Sequence, residues 1–207
     1  MRRRTALATL GTALSASLAG CLGQLNPSFW GPGSPDGEVR PDGDPETVPD
    51  SLDCDDEEFT RFPSEYNRGE LACGEAGHFT LRIEKLAYEY GETARITLTN
   101  TSFTDAEIND YRWFNFEVYT EDGWQDVRVT DRDKSVVYPD DGTSHEAGEQ
   151  FQWEIELTEE GIENASFRPE STFVCPELRA GRYRFIFSNQ FGSREDVAVG
   201  FDLYRDS

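Results

Sequence analysis

Two histidines, four cysteines and 41 carboxylates are the residues that could do chemistry in this 207-residue chain. The histidines are His78 and His145, and neither has an evident Ser or Cys partner. No Gly-x-Ser-x-Gly elbow occurs, so an activated nucleophile is not indicated. A blue-copper centre needs two His, a Cys and usually an axial Met. The single methionine is Met1, and no His follows Cys175 to complete a ligand loop. Zinc lacks both Cys-x-x-Cys and paired-His spacing. Glycoside chemistry needs two carboxylates placed across a cleft. With carboxylates throughout the chain, a pair of them identifies nothing. His78 opens a strand-like run and His145 lies in an acidic loop, so both are expected at the surface. No enzyme, no cofactor and no metal site are expected.

Binding chemistry remains. Asp53-Cys54-Asp55-Asp56-Glu57 and Asp105 to Asp110 offer oxygen ligands at loop spacing, but neither matches an EF-hand. Asn100-Thr101-Ser102 and Asn164-Ala165-Ser166 are glycosylation sequons at expected turns, whereas Asn26-Pro27-Ser28 is blocked by its proline. Tyr111, Trp113, Tyr119 and Trp124 gather around one hairpin, with Trp113 and Tyr119 opposite in parity to Phe114, Phe116 and Val118. If the latter three face the core, the former form a possible binding face for a surface protein or glycan. The alternative is that a docked tether covers that face.

Net charge is −22, from 19 Lys+Arg against 41 Asp+Glu. No basic footprint for phosphates exists, which argues against nucleic acid as a partner. Hydrophobic residues at 36% and aromatics at 13% still suffice for one compact core. Only Lys85 and Lys134 are lysines; the remaining basic residues are Arg. This usage resembles that of proteins from salt-loving archaea, where acid keeps a surface hydrated in brine.

The N-terminus reads as an address. Arg3-Arg4-Thr5-Ala6-Leu7 resembles the twin-arginine export signal, followed by a mildly apolar run too short to span a membrane. Leu18-Ala19-Gly20-Cys21 resembles a lipobox, which implies a signal peptide over residues 1–20 and lipidation of Cys21. The expectation is a membrane partner through a lipid anchor, on the extracytoplasmic side, without a spanning helix. Cys54, Cys73 and Cys175 then remain as disulfide candidates, an odd number in an oxidising compartment. All three pairings are open. Proximity favours Cys54–Cys73, because strand directions in a simple sandwich place Cys73 and Cys175 at opposite ends. The leftover thiol could also link two copies.

Residues 21–70 read as a lipid-anchored, acidic Pro/Gly-rich linker, disordered, with prolines at 27, 32, 35, 41, 45 and 49. Such a tether reaches roughly 35–45 Å. Its later part, from Cys54 to Cys73, has Phe59, Phe62, Tyr66 and Leu71 with which to dock.

From His78 onward the apolar period is two. Phe79/Leu81/Ile83, Ala94/Ile96/Leu98, Phe114/Phe116/Val118, Phe151/Trp153/Ile155/Leu157, Tyr183/Phe185/Phe187 and Val197/Val199/Phe201/Leu203 each alternate with mainly polar residues. Asp122-Gly123 predicts a short hairpin between Tyr119 and Trp124. One short helix is expected near Thr158 to Ala165. The fold class is all-β: an antiparallel sandwich of seven or eight strands over residues 71–207. Tyr90 to Asn100, Gly123 to Val127, Ala147 to Phe151 and Leu178 to Phe185 resemble strand entries of bacterial immunoglobulin-like domains. Together with the N-terminus, the chain resembles a haloarchaeal twin-arginine-exported lipoprotein with such a domain. The insertion between Leu157 and Cys175 departs from that pattern. The resemblance implies non-catalytic binding of an envelope protein or glycan. A structural spacer of the envelope and an ion- or small-ligand-binding lipoprotein serving a transporter are the alternatives.

Overall fold

Alternating side chains put one face of each run in a core, and the computed structural model follows that rule; the other face is exposed along Gln150–Glu156 but covered along Phe79–Ile83, Phe114–Thr120 and Gly181–Phe187. It describes residues 36–54, 58–63, 71–133, 142–188 and 196–205. The strands among them are β1 (Phe59–Arg61), β2 (Ala72–Cys73), β3 (Glu75–Ala76), β4 (Phe79–Ile83), β5 (Ala87–Glu89), β6 (Thr93–Asn100), β7 (Ala106–Ile108) and β8 (Phe114–Thr120), then β9 (Gly123–Asp126), β10 (Arg128–Asp131), β11 (Thr143–His145) and β12 (Gln150–Glu156). Helix α1 (Glu159–Ala165), a 3-10 turn (Pro169–Ser171), β13 (Thr172–Val174), β14 (Gly181–Phe187) and β15 (Val197–Tyr204) complete the order.

The first sheet runs β12-β6-β4-β3, and the second runs β2-β15-β14-β8-β9 with β5 also on β15. Two smaller sheets, β1-β10-β13 and β11-β7, lie beside them. Inner residues of both large sheets share one buried cluster, from Leu81, Ile96 and Trp153 to Phe116, Phe185 and Phe201. Trp153 of the first sheet meets Phe185 of the second at 4.9 Å between ring centroids. Each such side chain contributes roughly 1.5–3 kcal/mol on burial.

The strand set is larger than seven or eight, because short segments pair at the margins. The second sheet is also mixed rather than antiparallel: β15 pairs in parallel with β2 and with β5. Alternation reports which face is buried and carries no information about strand direction. The hairpin forms as expected, with Thr120 opposite Gly123 and Gly123 at φ +96°. Helix α1 starts where expected: the Thr158 hydroxyl accepts from the Gly161 N–H, and Glu159 and Glu160 occupy the first turn.

The stretch read as a free linker behaves differently over its described part. Residues 36–54 and 58–63 form a belt against the domain. Glu38 bridges to Ile83. The Gly200 N–H donates to Val39, Arg182 donates to the Gly43 carbonyl, and the Glu121 N–H donates to Pro49. Leu52 and Phe62 are buried, and β1 pairs with β10.

The belt corrects the favoured disulfide. Cys54 bonds Cys175, with Cα atoms 5.7 Å apart, and not Cys73. The insertion explains why: β13 returns to pair with β10, and the Cys175 N–H donates to the Val127 carbonyl, beside the buried belt. Cys73 lies opposite Ala198 at the β2 edge, four strand spacings from β9. That is roughly 19 Å.

Candidate functional site

The four aromatics expected to form one face are not brought together. Trp113 is buried. Tyr111 stacks on Phe151 at 3.6 Å, and its carbonyl accepts the Trp153 indole N–H at 2.7 Å. Tyr119 and Trp124 pair across the β8–β9 hairpin at 5.3 Å. Strand β8 separates the two groups, about 20 Å of extended chain. The belt closes the hairpin end: Leu52 N–H donates to the Gln125 side chain, and the Ser51 hydroxyl donates to Asp122.

Beneath the belt lies a charged network on the outer face of the second sheet. Arg184 donates from Nε to Glu117 at 2.6 Å, and its guanidinium lies 4.2 Å from the Trp124 ring centroid. Asn115 donates to the Pro63 carbonyl at 2.9 Å. Arg128 donates twice to Asp126 and once to the Phe114 carbonyl. Its guanidinium lies between the Phe62 and Phe114 rings, at 4.7 and 4.9 Å. Burial pushes the Glu117 carboxyl up to about 7, and Asp126 adds to this against the opposing pull of Arg184. Burial likewise lowers Arg184. Glu117 can therefore exchange a proton near neutrality, but it is fully enclosed and touches no open surface. The network holds the belt.

The histidines divide. His78 is exposed, as expected. His145 is fully buried, because β11 pairs it with Ala106 of β7. Its Nε2 faces the Glu149 carbonyl at 3.1 Å, so Nε2 is the donor, and Nδ1 accepts from the Tyr111 hydroxyl at 2.8 Å. That arrangement fits neutral imidazole, and burial lowers its pKa accordingly.

The sequon at Asn100 is also corrected. Asn100 is fully buried, and its Nδ2 donates to the carbonyls of Thr104, His145 and Glu146. A glycan on that nitrogen would break the loop and is excluded from the folded chain. Asn164 is exposed on α1, while the Ser166 hydroxyl of its sequon is tied to the Ile162 carbonyl. Of the acidic loops, Asp105 accepts from the Ala147 N–H, and Arg112 holds the Asp110 carboxyl low. Residues 55–57 and Cys21 lie outside the described residues. Among the described residues, no group of three or more metal-ligating side chains is placed to hold an ion, and no helix is long and apolar enough to cross a membrane.

One residue that the sequence reading missed stands out physically. Phe103 is wholly exposed, at 102% of its reference surface. It sits in the β6–β7 loop, which Asn100 braces from beneath and Ser102 closes by donating to the Thr104 carbonyl. The loop leaves β6 at the Phe79 end of β4, whereas the belt enters at the Ile83 end. Phe103 therefore marks the pole away from that entry. Exposed Asp105, Glu107 and Glu146 flank it. A large apolar side chain among turn-formers, outside any period-two run, was the available signal.

No family model matches the chain, and no curated protein does. Solved structures give distant likenesses. The yjhA protein of Bacillus subtilis is 12% identical, covering 64% of this chain and 94% of that one, with a TM-score of 0.32. The alkylpurine DNA glycosylase AlkC of Pseudomonas fluorescens is 12% identical over 63% of this chain, with a TM-score of 0.31, and this chain spans about a third (32%) of its length. A PapD-like domain of human CEP192 is 13% identical over 61% of this chain and 84% of its own, with a TM-score of 0.25. At these scores the likenesses carry no argument about what this chain does.

Proposed function

We propose that this chain is a lipid-anchored, extracytoplasmic binding protein, whose immunoglobulin-like domain engages an envelope protein or glycan without catalysis. The observation that supports the reading most is Phe103: an exposed aromatic on a braced loop, opposite the end at which the belt arrives. A rigid aromatic anchor loses little entropy when a partner pocket closes on it. Its acidic flank suits a pocket with a basic rim. The immunoglobulin-like assignment draws support from β12-β6-β4 facing β15-β14-β8-β9 across one core, with β5 running parallel to β15. The network around Glu117 and Arg184 is enclosed and serves the fold, so it supports no competing catalytic reading.

The anchor rests on Arg3-Arg4 and on Leu18 to Cys21. In brine, the acidic surface stays hydrated and its self-repulsion is screened within about 3 Å. In dilute buffer a net charge of −22 destabilises the fold, and circular dichroism reads the loss.

The test is carboxyl-directed cross-linking on intact cells in native brine, followed by mass spectrometry, for the wild type and Phe103→Asp. One reproducible partner linked through Asp105, Glu107 or Glu146, and lost in the variant, is the expected result. Equal capture by both, or none by either, overturns binding at this pole and favours a spacer.

A further inference from the structure

The chain closes most of its sheet margins with its own segments. At β9, the Asp126 carbonyl accepts from Arg61, and the neighbouring turn donates to Pro49. At β13, the Val174 N–H donates to Glu163. Strand β12 has no such closure. It ends the first sheet, and among the described residues only β6 pairs with it.

The main-chain groups that it leaves open can be identified. Antiparallel pairs alternate between those that exchange hydrogen bonds and those that do not. Leu157 and Glu92 bond in register at one end, and Asn100 donates to Glu149 at the other. Phe151, Trp153 and Ile155 therefore bond to β6, and the N–H and C=O groups of Gln150, Gln152, Glu154 and Glu156 face outward. The Glu156 carbonyl is taken by the Thr158 N–H, and Gly161 of α1 packs close upon it. Three residues remain, Gln150, Gln152 and Glu154, all exposed. None of the usual protections, a proline, a lysine or a bulge, occurs between Gln150 and Glu154.

We infer that this edge pairs with the same edge of a second copy, about a two-fold axis at Gln152. The strand is complementary to itself in that register. Gln152 lies opposite Gln152 of the second copy, and Gln150 lies opposite its Glu154. An amide donor thus meets a carboxylate, and no two carboxylates face each other. On the inner face Phe151 is already stacked on Tyr111 and Trp153 is buried, so the pairing rests on the main chain and the outward side chains. All three open residues are used, giving about six main-chain hydrogen bonds, two per pair. No other part of the domain is required, so the dimer is weak. Because each copy carries −22, it tightens as salt screens the repulsion. Phe103 is not involved, so this inference stands or falls apart from the binding proposal.

Sedimentation equilibrium of the purified full-length chain in molar KCl tests it. A monomer–dimer equilibrium that strengthens with salt is expected. Gln152→Pro removes an N–H that the fold does not use and abolishes the dimer. Gln150→Glu sets carboxylate against carboxylate at two symmetric positions and weakens it about tenfold. Gln150→Glu with Glu154→Gln restores it, because the exchanged pair is again amide against acid. Circular dichroism confirms that each variant is folded. A chain monomeric at every concentration, or a dimer indifferent to both single variants, overturns the inference. Loss in Gln150→Glu without recovery in the double variant overturns the register.

Discussion

Arg95 lies directly opposite Glu154 across β6 and β12, and Arg184 lies directly opposite Glu117 across β14 and β8. The two pairs share chemistry, register and placement on the outer face of a sheet. Their surroundings differ. Side-chain exposures are 48% and 58% in the first pair, but 10% and 0% in the second. The belt makes the difference, because residues 36–54 and 58–63 cover one sheet and leave the edge of the other open. An ion pair on a strand surface is optional while water reaches it, and obligatory once the chain covers it.

Arg184→Ala sharpens the comparison most. It leaves Glu117 buried without its cation and should cost about 3–5 kcal/mol. Denaturant unfolding in molar KCl measures it, and a loss no greater than that of the exposed pair would break the comparison. Cys54→Ser with Cys175→Ser tests whether the belt needs its covalent clasp. Opening a loop of 121 residues should cost about 2–4 kcal/mol, with amide exchange rising first around Leu52 and Phe62.

Glu117→Gln gives a smaller, pH-dependent effect. The folded carboxyl titrates near 7, above its unfolded value near 4.3, so the folded chain holds the proton more tightly. The stability it contributes is complete below about pH 4 and is lost as pH rises through 7. His145 acts in the opposite sense. Its pKa is depressed by burial, so its contribution is present above about 6.5 and lost as pH falls. The wild-type-minus-variant difference cancels His145 and should change only across the Glu117 window. A flat difference would mean that Glu117 stays ionised beneath the belt. Arg95→Ala should have the smallest effect, under about 1 kcal/mol, and less at high salt.

How far the sequence could be read varies by element. The alternation of Phe114, Phe116 and Val118 with Asn115 and Glu117 reported the buried face correctly, since a strand's period of two follows from backbone geometry. The Thr158 cap was legible because N-cap chemistry is local. The aromatic face was not. Parity placed Trp113 opposite the core residues, but Trp113 precedes β8, and its burial depends on what packs there. His145 read as a loop residue, because the β11–β7 pairing that buries it joins segments nearly forty residues apart. Phe103 was passed over because exposure of a single side chain is a property of the assembled loop.

The sequence by itself determined the all-β class, the inward face of each long strand and the short hairpin. Each of these follows from periodicity or from turn chemistry within a few residues. Only the tertiary structure decided the belt, the Cys54–Cys175 bond and the enclosed Arg184–Glu117 pair. The physical reason lies in the backbone. A segment rich in proline and acid shows little that could pack, so its composition reads as linker. It still carries a carbonyl at every residue. Val39, Gly43, Pro49 and Pro63 accept from Gly200, Arg182, Glu121 and Asn115, donors supplied by other parts of the chain. Composition does not show where those donors stand until the strands have assembled.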